Sequence, residues 1–137
     1  MSERSVHDNN VYAYAVLCER RRLVLHTEYR DGDAEEYTDV VFAGVVAHHF
    51  EDVLAGNILF GIDEVDPERI VAEWADLFAR RKNYGWPRVE YDRQEELVAA
   101  LRRDGVKGFE IGSSYGLGGW VLAAGMDVVP RAAKLEA

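Results

Sequence analysis

The first half of the chain repeats apolar side chains with a period of two, which is the spacing of a β-strand. Four runs carry this pattern: VYAYAVLCE (11–19), RLVLHTEYR (22–30), YTDVVFAGVVAHHF (37–50) and ILFGIDEV (58–65). The first run is apolar on both faces, which predicts a strand covered on both sides. Gly44 lies inside the third run and predicts a bend, because a glycine loosens a strand. These runs predict four strands, separated by polar turns.

The apolar spacing changes to that of a helix after Asp66. Asp66 followed by Pro67 predicts a capped helix N-terminus, and apolar residues recur every three or four positions as far as Arg81. A second helix is predicted to begin at Asp92 and to end at Gly105. Two further strand-like runs follow, VKGFEIG (106–112) and GWVLAAGMDVV (119–129).

These elements predict an α+β fold with the order ββββααββ. We expect an antiparallel or mixed sheet of about six strands, with two helices packed on one face. The length of 137 residues predicts one globular domain over 1–137, with flexible ends at 1–10 and 131–137. A composition of 48% hydrophobic and 30% charged residues argues against a disordered chain. No run reaches the roughly 18 apolar residues that a membrane span requires.

The N-terminal segment and the single cysteine predict a cytoplasmic location. MSERSVHDNN has no apolar run after its charged start, so it does not have the pattern of a secretory signal. Cys18 has no second cysteine to pair with, which excludes an internal disulfide, a CxxC redox motif and a cysteine-rich zinc site. Because Cys18 belongs to an apolar run, we expect it to be buried.

The charge is divided unevenly between the two halves of the chain. Of the formal net charge of −9, all comes from residues 1–66, which hold 14 acidic and 5 basic residues, whereas 67–137 holds 11 of each. Between residues 28 and 66 there are 11 carboxylates, with Arg30 as the one basic residue. Such a segment repels a phosphate backbone, so we do not expect nucleic acid as a partner. The lack of a sufficiently long apolar run predicts that the protein has no membrane partner either. An acidic segment of this kind favours a basic protein as the partner.

The segment GSSYG (112–116) matches G-x-S-x-G, the pattern that places a nucleophilic serine on a sharp turn in many esterases. The sequence after Ser114 is YGLGGWVLA, which predicts a hairpin entering a strand and not the required helix. All four histidines precede Ser114, whereas that family supplies its histidine later. We therefore predict no catalytic residue here. Turn chemistry explains the glycines, and a binding loop carrying Tyr115 is the alternative.

Two groups of residues are candidates for a metal site. The acidic turn at 31–36 alternates carboxylates as a calcium loop does, but it lacks the turn glycine and the distal glutamate at the required positions. His26, His48 and His49 are weak candidates, because adjacent strand residues point to opposite faces and only one of the last two can join His26. We predict structural histidines, no metal and no cofactor.

The leading functional hypothesis is a small acidic cytoplasmic protein that binds a basic protein partner without catalysis, as an immunity protein or an antitoxin does. Tyr84 and Trp86 lie in the loop NYGWP, which we expect to expose at least one aromatic anchor. The predicted partner-binding residues are seven carboxylates and these two aromatics: Asp31, Asp33, Glu35, Glu36, Asp39, Glu51, Asp52, Tyr84 and Trp86.

Two alternatives stay open. One is an enzyme that binds a small ligand or a metal between the bent third strand and the glycine-rich loop, using His26, His48 or His49 together with Glu110. The other is a homodimeric structural module whose copies pair through an exposed strand edge.

Overall fold

The computed structural model describes residues 5–135, which form eight antiparallel strands and three α-helices. The strands are β1 (Asn10–Leu17), β2 (Arg22–Asp31), β3 (Ala34–Ala43), β4 (Ala47–Glu51), β5 (Ile58–Val65), β6 (Lys107–Tyr115), β7 (Gly118–Ala123) and β8 (Gly125–Arg131). The helices are α1 (Pro67–Glu73), α2 (Ala75–Arg81) and α3 (Gln94–Arg103). The strand order in the sheet is β4-β7-β6-β5-β1-β2-β3-β8. The predicted α+β class is confirmed, whereas the predicted numbers of strands and helices and their order are wrong in detail.

Two long strands bend at the same corner, which accounts for the two additional strands. The run 37–50 is divided at Gly44 into β3 and β4, and the run 119–129 is divided at Ala124 into β7 and β8. Gly44 has φ +64°, and a Cβ on it would lie 2.7 Å from the Cβ of Ala124. Since β3 pairs with β8 and β4 with β7, both strands turn together. The bend predicted at Gly44 is confirmed.

An inner core lies between the two halves of the bent sheet, β4-β7-β6-β5 and β1-β2-β3-β8. The halves meet at the bend and again where β1 pairs with β5, at Asn10 and Ile58. Asn57 is buried at this second junction, and its side chain donates to the carbonyls of Val11 and Leu54. The inner core is apolar: Val11, Leu23, Leu25, Val40, Phe42, Leu59, Phe109, Ile111, Leu117, Val121 and Ala123.

The helices cover the outer face of β6 and β7 and form a second core. Residues along β7 alternate between the cores, so that Val121 belongs to the inner one and Trp120 and Leu122 to the outer one. Gly108 allows α1 to approach β6, since a Cβ there would lie 2.7 Å from Cδ1 of Ile70. Burial of one large apolar side chain contributes roughly 1.5–3 kcal/mol, so the helices are held mainly by this face.

The helix boundaries correct two predictions. The single helix predicted as far as Arg81 is two helices, because the backbone leaves the helical region at Trp74, with φ −110° and ψ 29°. Asp66 caps α1 as predicted, and its carboxylate accepts a hydrogen bond from the backbone N–H of Glu68 at 2.9 Å. Helix α3 has Arg93 as its N-cap residue, so the predicted start at Asp92 is one residue early. None of the helices within 5–135 is long and apolar enough to cross a membrane.

Cys18 is exposed, so the prediction that it is buried is wrong. The strand ends at Leu17, and Cys18 begins a single turn of 3₁₀ helix (Cys18–Arg20) that leads into β2. Arg21 ends this turn with φ +53°, a left-handed conformation that reverses the chain. The cysteine thus belongs to the connection and not to the apolar strand.

Candidate partner-binding surface

The hairpin of β2 and β3 extends beyond the strands on either side of it. The pairing of β1 with β2 stops at Glu28, opposite Asn10, and the pairing of β8 with β3 begins at Tyr37. Residues 29–36 therefore pair only with each other within the described chain, and we call them the acidic hairpin. Gly32 adopts φ +63° in its turn, a conformation that favours glycine.

The acidic hairpin carries four carboxylates and one guanidinium. Asp31, Asp33, Glu35 and Glu36 are all exposed. Arg30 Nε lies 3.7 Å from Glu35 Oε1, and exposed pairs of this kind contribute little. The hydroxyl of Tyr37 donates to Glu35 at 2.8 Å, and this bond raises the pKa of Tyr37. The tip of the hairpin therefore presents a net negative charge to solvent.

Asp39 lies on the same strand but is only 4% exposed. Its Oδ1 is 2.8 Å from His26 Nδ1, and its Oδ2 accepts a hydrogen bond from Arg131 Nε, also at 2.8 Å. Both carboxylate oxygens are thus engaged inside the protein. The structure assigns Asp39 to the stabilisation of the fold and separates it from the acidic hairpin.

Glu51 and Asp52 lie far from the acidic hairpin. Both are exposed, with Glu51 at the end of β4 and Asp52 directly after it. Because β3 continues through the bend at Gly44 into β4, these two carboxylates and Glu36 lie at opposite ends of one long bent strand. The carboxylates proposed for partner binding do not form one continuous face.

Basic side chains of the later half of the chain lie within 4 Å of several carboxylates of the earlier half. The Coulomb attraction between such groups is strongest at hydrogen-bond distance. The pairs and their N···O distances are Lys134 with Glu28 (3.1 Å), Arg131 with Asp39 (2.8 Å), Lys107 with Glu64 (3.7 Å) and Arg102 with Asp66 (3.0 Å). Four of the 11 carboxylates between residues 28 and 66 are therefore paired with cations from the second half.

The two predicted aromatic anchors differ in exposure. Tyr84 is 85% exposed, whereas Trp86 is half-buried in the outer core with its ring centroid 4.8 Å from that of Phe78. The prediction that the NYGWP loop exposes at least one aromatic is confirmed. Trp86 contributes mainly to packing, and Tyr84 is the accessible ring.

The C-terminal segment makes structural contacts that sequence reasoning did not identify. Residues 131–135 pass from β8 to β1, where the backbone N–H of Leu135 donates to the hydroxyl of Tyr12 at 3.0 Å. Lys134 Nζ lies 4.7 Å from the ring centroid of Tyr12, next to its ion pair with Glu28. Burial raises the pKa of Glu28, but the ammonium of Lys134 and the hydrogen bond from Asn10 outweigh it and lower the pKa overall.

The three histidines considered for metal binding are not brought together. His26 pairs with Asp39 on β2, whereas His48 and His49 lie on β4 in the other half of the sheet. Burial lowers the pKa of His48, and the neighbouring His49 adds to this effect. Within residues 5–135 no group of three or more His, Cys, Asp or Glu side chains is placed to hold a metal ion.

The glycine-rich segment forms a hairpin, as predicted. Ser114 lies exposed on β6, and Gly116 makes the turn into β7 with φ +80°. The hydroxyl of Ser113 donates to the carbonyl of Gly116 at 3.1 Å, which stabilises the turn. Glu110, proposed for the alternative enzyme pocket, lies earlier on β6 than Ser114 and pairs with Arg69 at 3.1 Å. This segment does not adopt the strand-to-helix elbow that a nucleophilic serine requires.

Comparison with protein-family models, curated proteins and solved structures found no match to this chain.

Proposed function

We propose that the protein is a small acidic cytoplasmic protein that binds and neutralises a basic protein partner without catalysis, in the manner of an immunity protein or an antitoxin. The single observation that supports this proposal most strongly is the acidic hairpin, residues 29–36. It projects beyond both flanking strands and exposes four carboxylates against one guanidinium.

A projecting hairpin is well suited to recognise a cationic surface. Its carboxylates reach a partner before the rest of the domain does, and an attractive field raises the association rate by about 10- to 1000-fold. The Debye length is about 8 Å at physiological ionic strength, so charges at the tip act chiefly on a partner that is already close. The net charge of −9 on the whole chain adds attraction at longer range when the ionic strength is low.

Contacts inside the protein remove two residues from the predicted partner-binding residues. Asp39 is engaged with Arg131 and Trp86 with the outer core, so neither is retained as a contact residue. The proposed contacts are the four hairpin carboxylates, Asp31, Asp33, Glu35 and Glu36. Glu51, Asp52 and Tyr84 lie outside the hairpin and are not needed for the primary contact.

Affinity purification from the native host tests the proposal. The tagged protein is used as bait at low and at high ionic strength, alongside a hairpin variant with Asp31→Asn, Asp33→Asn, Glu35→Gln and Glu36→Gln. We expect the wild-type bait to retain a basic protein at low ionic strength and to lose it at high ionic strength. The hairpin variant is expected to lose it at both.

A matched control separates the hairpin from total charge. Glu73→Gln, Glu90→Gln, Glu95→Gln and Asp127→Asn remove the same number of exposed carboxylates from positions outside the hairpin. This control variant is expected to retain the partner at low ionic strength. Equal retention by the hairpin variant, or equal loss by the control variant, contradicts a contact made by the hairpin.

A further inference from the structure

Strand β1 has one unpaired edge along most of its length. It pairs with β5 only at Asn10, and the backbone hydrogen bonds on that side end with Val11 N–H donating to Asn57 O at 2.8 Å. Within the described chain, residues 13–17 pair with β2 alone, on their other side, and Tyr12 lies at an irregularity in that pairing. Such an edge carries N–H and C=O groups that bind readily to another strand.

Exposed apolar side chains cluster around this edge. Among residues 5–135, nine large hydrophobic side chains are exposed, and five of them lie along β1 or in the loop after β4. These five are Tyr14 (41%), Val16 (36%), Leu17 (41%), Val53 (42%) and Leu54 (51%). The loop is fixed beside the beginning of β1, because Asn57 binds the backbone of both Leu54 and Val11. A cluster of this kind is typical of an interaction surface.

The charges at the two ends of the edge have opposite signs. Arg20, Arg21 and Arg22 follow the end of β1 after Cys18 and Glu19, and all three are exposed. With the exposed carboxylate of Glu19 included, residues 18–22 carry three positive charges and one negative charge. Arg21 is held in place through its Nε, which donates to Val45 O at 3.2 Å. Glu51 and Asp52 precede the apolar loop residues at the other end. The edge is therefore basic at the C-terminal end of β1 and acidic near its N-terminal end.

We propose that this edge is the interface of a homodimer, in which β1 of one copy pairs antiparallel with β1 of the other. A two-fold axis across antiparallel strands places the arginine turn of each copy next to Glu51 and Asp52 of the other. Tyr14 and Val16 lie on one face of β1, where the Tyr14 ring already packs against Phe50 at 5.4 Å between centroids, and Leu17 lies on the other face. In the dimer the exposed parts of Tyr14 and Val16 of one copy then lie beside those of the other copy. A second copy of the protein fits this edge because the surface is complementary to itself in hydrogen bonding and in charge.

This pairing leaves the acidic hairpin accessible. The hairpin extends past Glu28, beyond the beginning of β1, whereas the edge runs from Tyr12 to Leu17. The dimer therefore does not depend on the proposed neutralising function, and either can fail without the other.

The mass in solution tests the dimer. Light scattering on the purified full chain, over a range of concentrations, is expected to show a species of twice 15.5 kDa that dissociates on dilution. Val16→Lys places a charge on the edge and is expected to raise the dissociation constant about tenfold or more. Tyr84→Lys is the matched control, since it adds the same charge at an exposed aromatic outside the edge and is expected to leave the constant unchanged.

A charge swap tests the orientation. Arg20→Glu alone and Glu51→Lys alone are each expected to weaken the dimer several-fold, and both together are expected to restore it, because each copy then presents the reversed pair. A monomer at every concentration for the wild type overturns the proposal. Dimerisation of Val16→Lys with wild-type affinity, or a double variant weaker than either single one, overturns the antiparallel β1 interface.

Discussion

The acidic hairpin and the sheet face beneath the C-terminal segment are both rich in carboxylates, yet they differ in what surrounds those groups. At the hairpin, Asp31, Asp33 and Glu36 extend into solvent beyond the last flanking strand. On the sheet face, Glu28 and Asp39 lie beneath Lys134 and Arg131. Carboxylates of one acidic stretch of sequence therefore have two surroundings: those at the tip are exposed and are the proposed partner contacts, and those at the base hold the C-terminal segment. The number of charges along the sequence does not distinguish the exposed carboxylates of the hairpin from the paired carboxylates of the sheet face.

Of the substitutions that test this comparison, Asp39→Ala on the sheet face is expected to have the largest effect on stability. It leaves the largely buried ring of His26 and the exposed guanidinium of Arg131 without their shared partner, and the expected loss of unfolding free energy is about 2 kcal/mol. Asp33→Ala at the tip is the matched substitution and should change stability by less than about 0.5 kcal/mol. Urea denaturation of both variants measures the difference. Equal losses would show that the two regions do not differ as described.

Lys134→Met is expected to have a smaller effect, below about 1 kcal/mol, because its ion pair with Glu28 is partly exposed. The sharper readout is the pKa of Glu28, which should rise in the variant when it is followed by NMR titration, since the nearby positive charge of the ion pair is removed. In the wild type the folded pKa lies below the ordinary value, so the ionised group stabilises the fold at higher pH. This contribution is lost as the pH falls through the lowered pKa of the folded state. A pKa that does not change in Lys134→Met would contradict the attachment of the C-terminal segment.

Arg102→Gln is expected to have the smallest effect on stability, since the guanidinium and Asp66 are both well exposed. The hydrogen bond from Arg102 and the backbone N–H of Glu68 together lower the pKa of Asp66. Arg102→Gln keeps the hydrogen bond from the backbone N–H of Glu68, so the pKa of Asp66 should rise but remain below its ordinary value. The loss of stability that Asp66 causes on acidification should then be smaller than in the wild type and be complete at a slightly higher pH. Complete return of the pKa to its ordinary value in an NMR titration would show that the cap contributes nothing.

Local sequence signals predicted most of the fold, because they act within a few residues. The period-two runs identified the strands, Asp66 and Pro67 identified the start of α1, and Gly44 identified a bend. The bend at Ala124 was missed because nothing at that residue requires it, and it follows from the pairing with the bent β3 and β4 strands. The break at Trp74 was missed because the apolar spacing continues through it.

The candidate site could be predicted only in part. The acidic turn at 31–36 was evident from its composition, but its projection depends on where β1 and β8 stop pairing. The ion pairs that remove Glu28 and Asp39 from the surface join residues about a hundred positions apart; Asp39 and Arg131, for example, are 92 residues apart. Spacing along a single sequence does not contain that information, so the number of available carboxylates was overestimated.

The most direct test of the central claim is the association rate constant of the basic partner recovered by affinity purification. Stopped-flow measurements at low ionic strength would compare the wild type, the hairpin variant and the control variant that lacks the same number of carboxylates elsewhere. The account predicts a fall of about tenfold or more for the hairpin variant and a change within about twofold for the control. A hairpin variant that associates as fast as the control would contradict it.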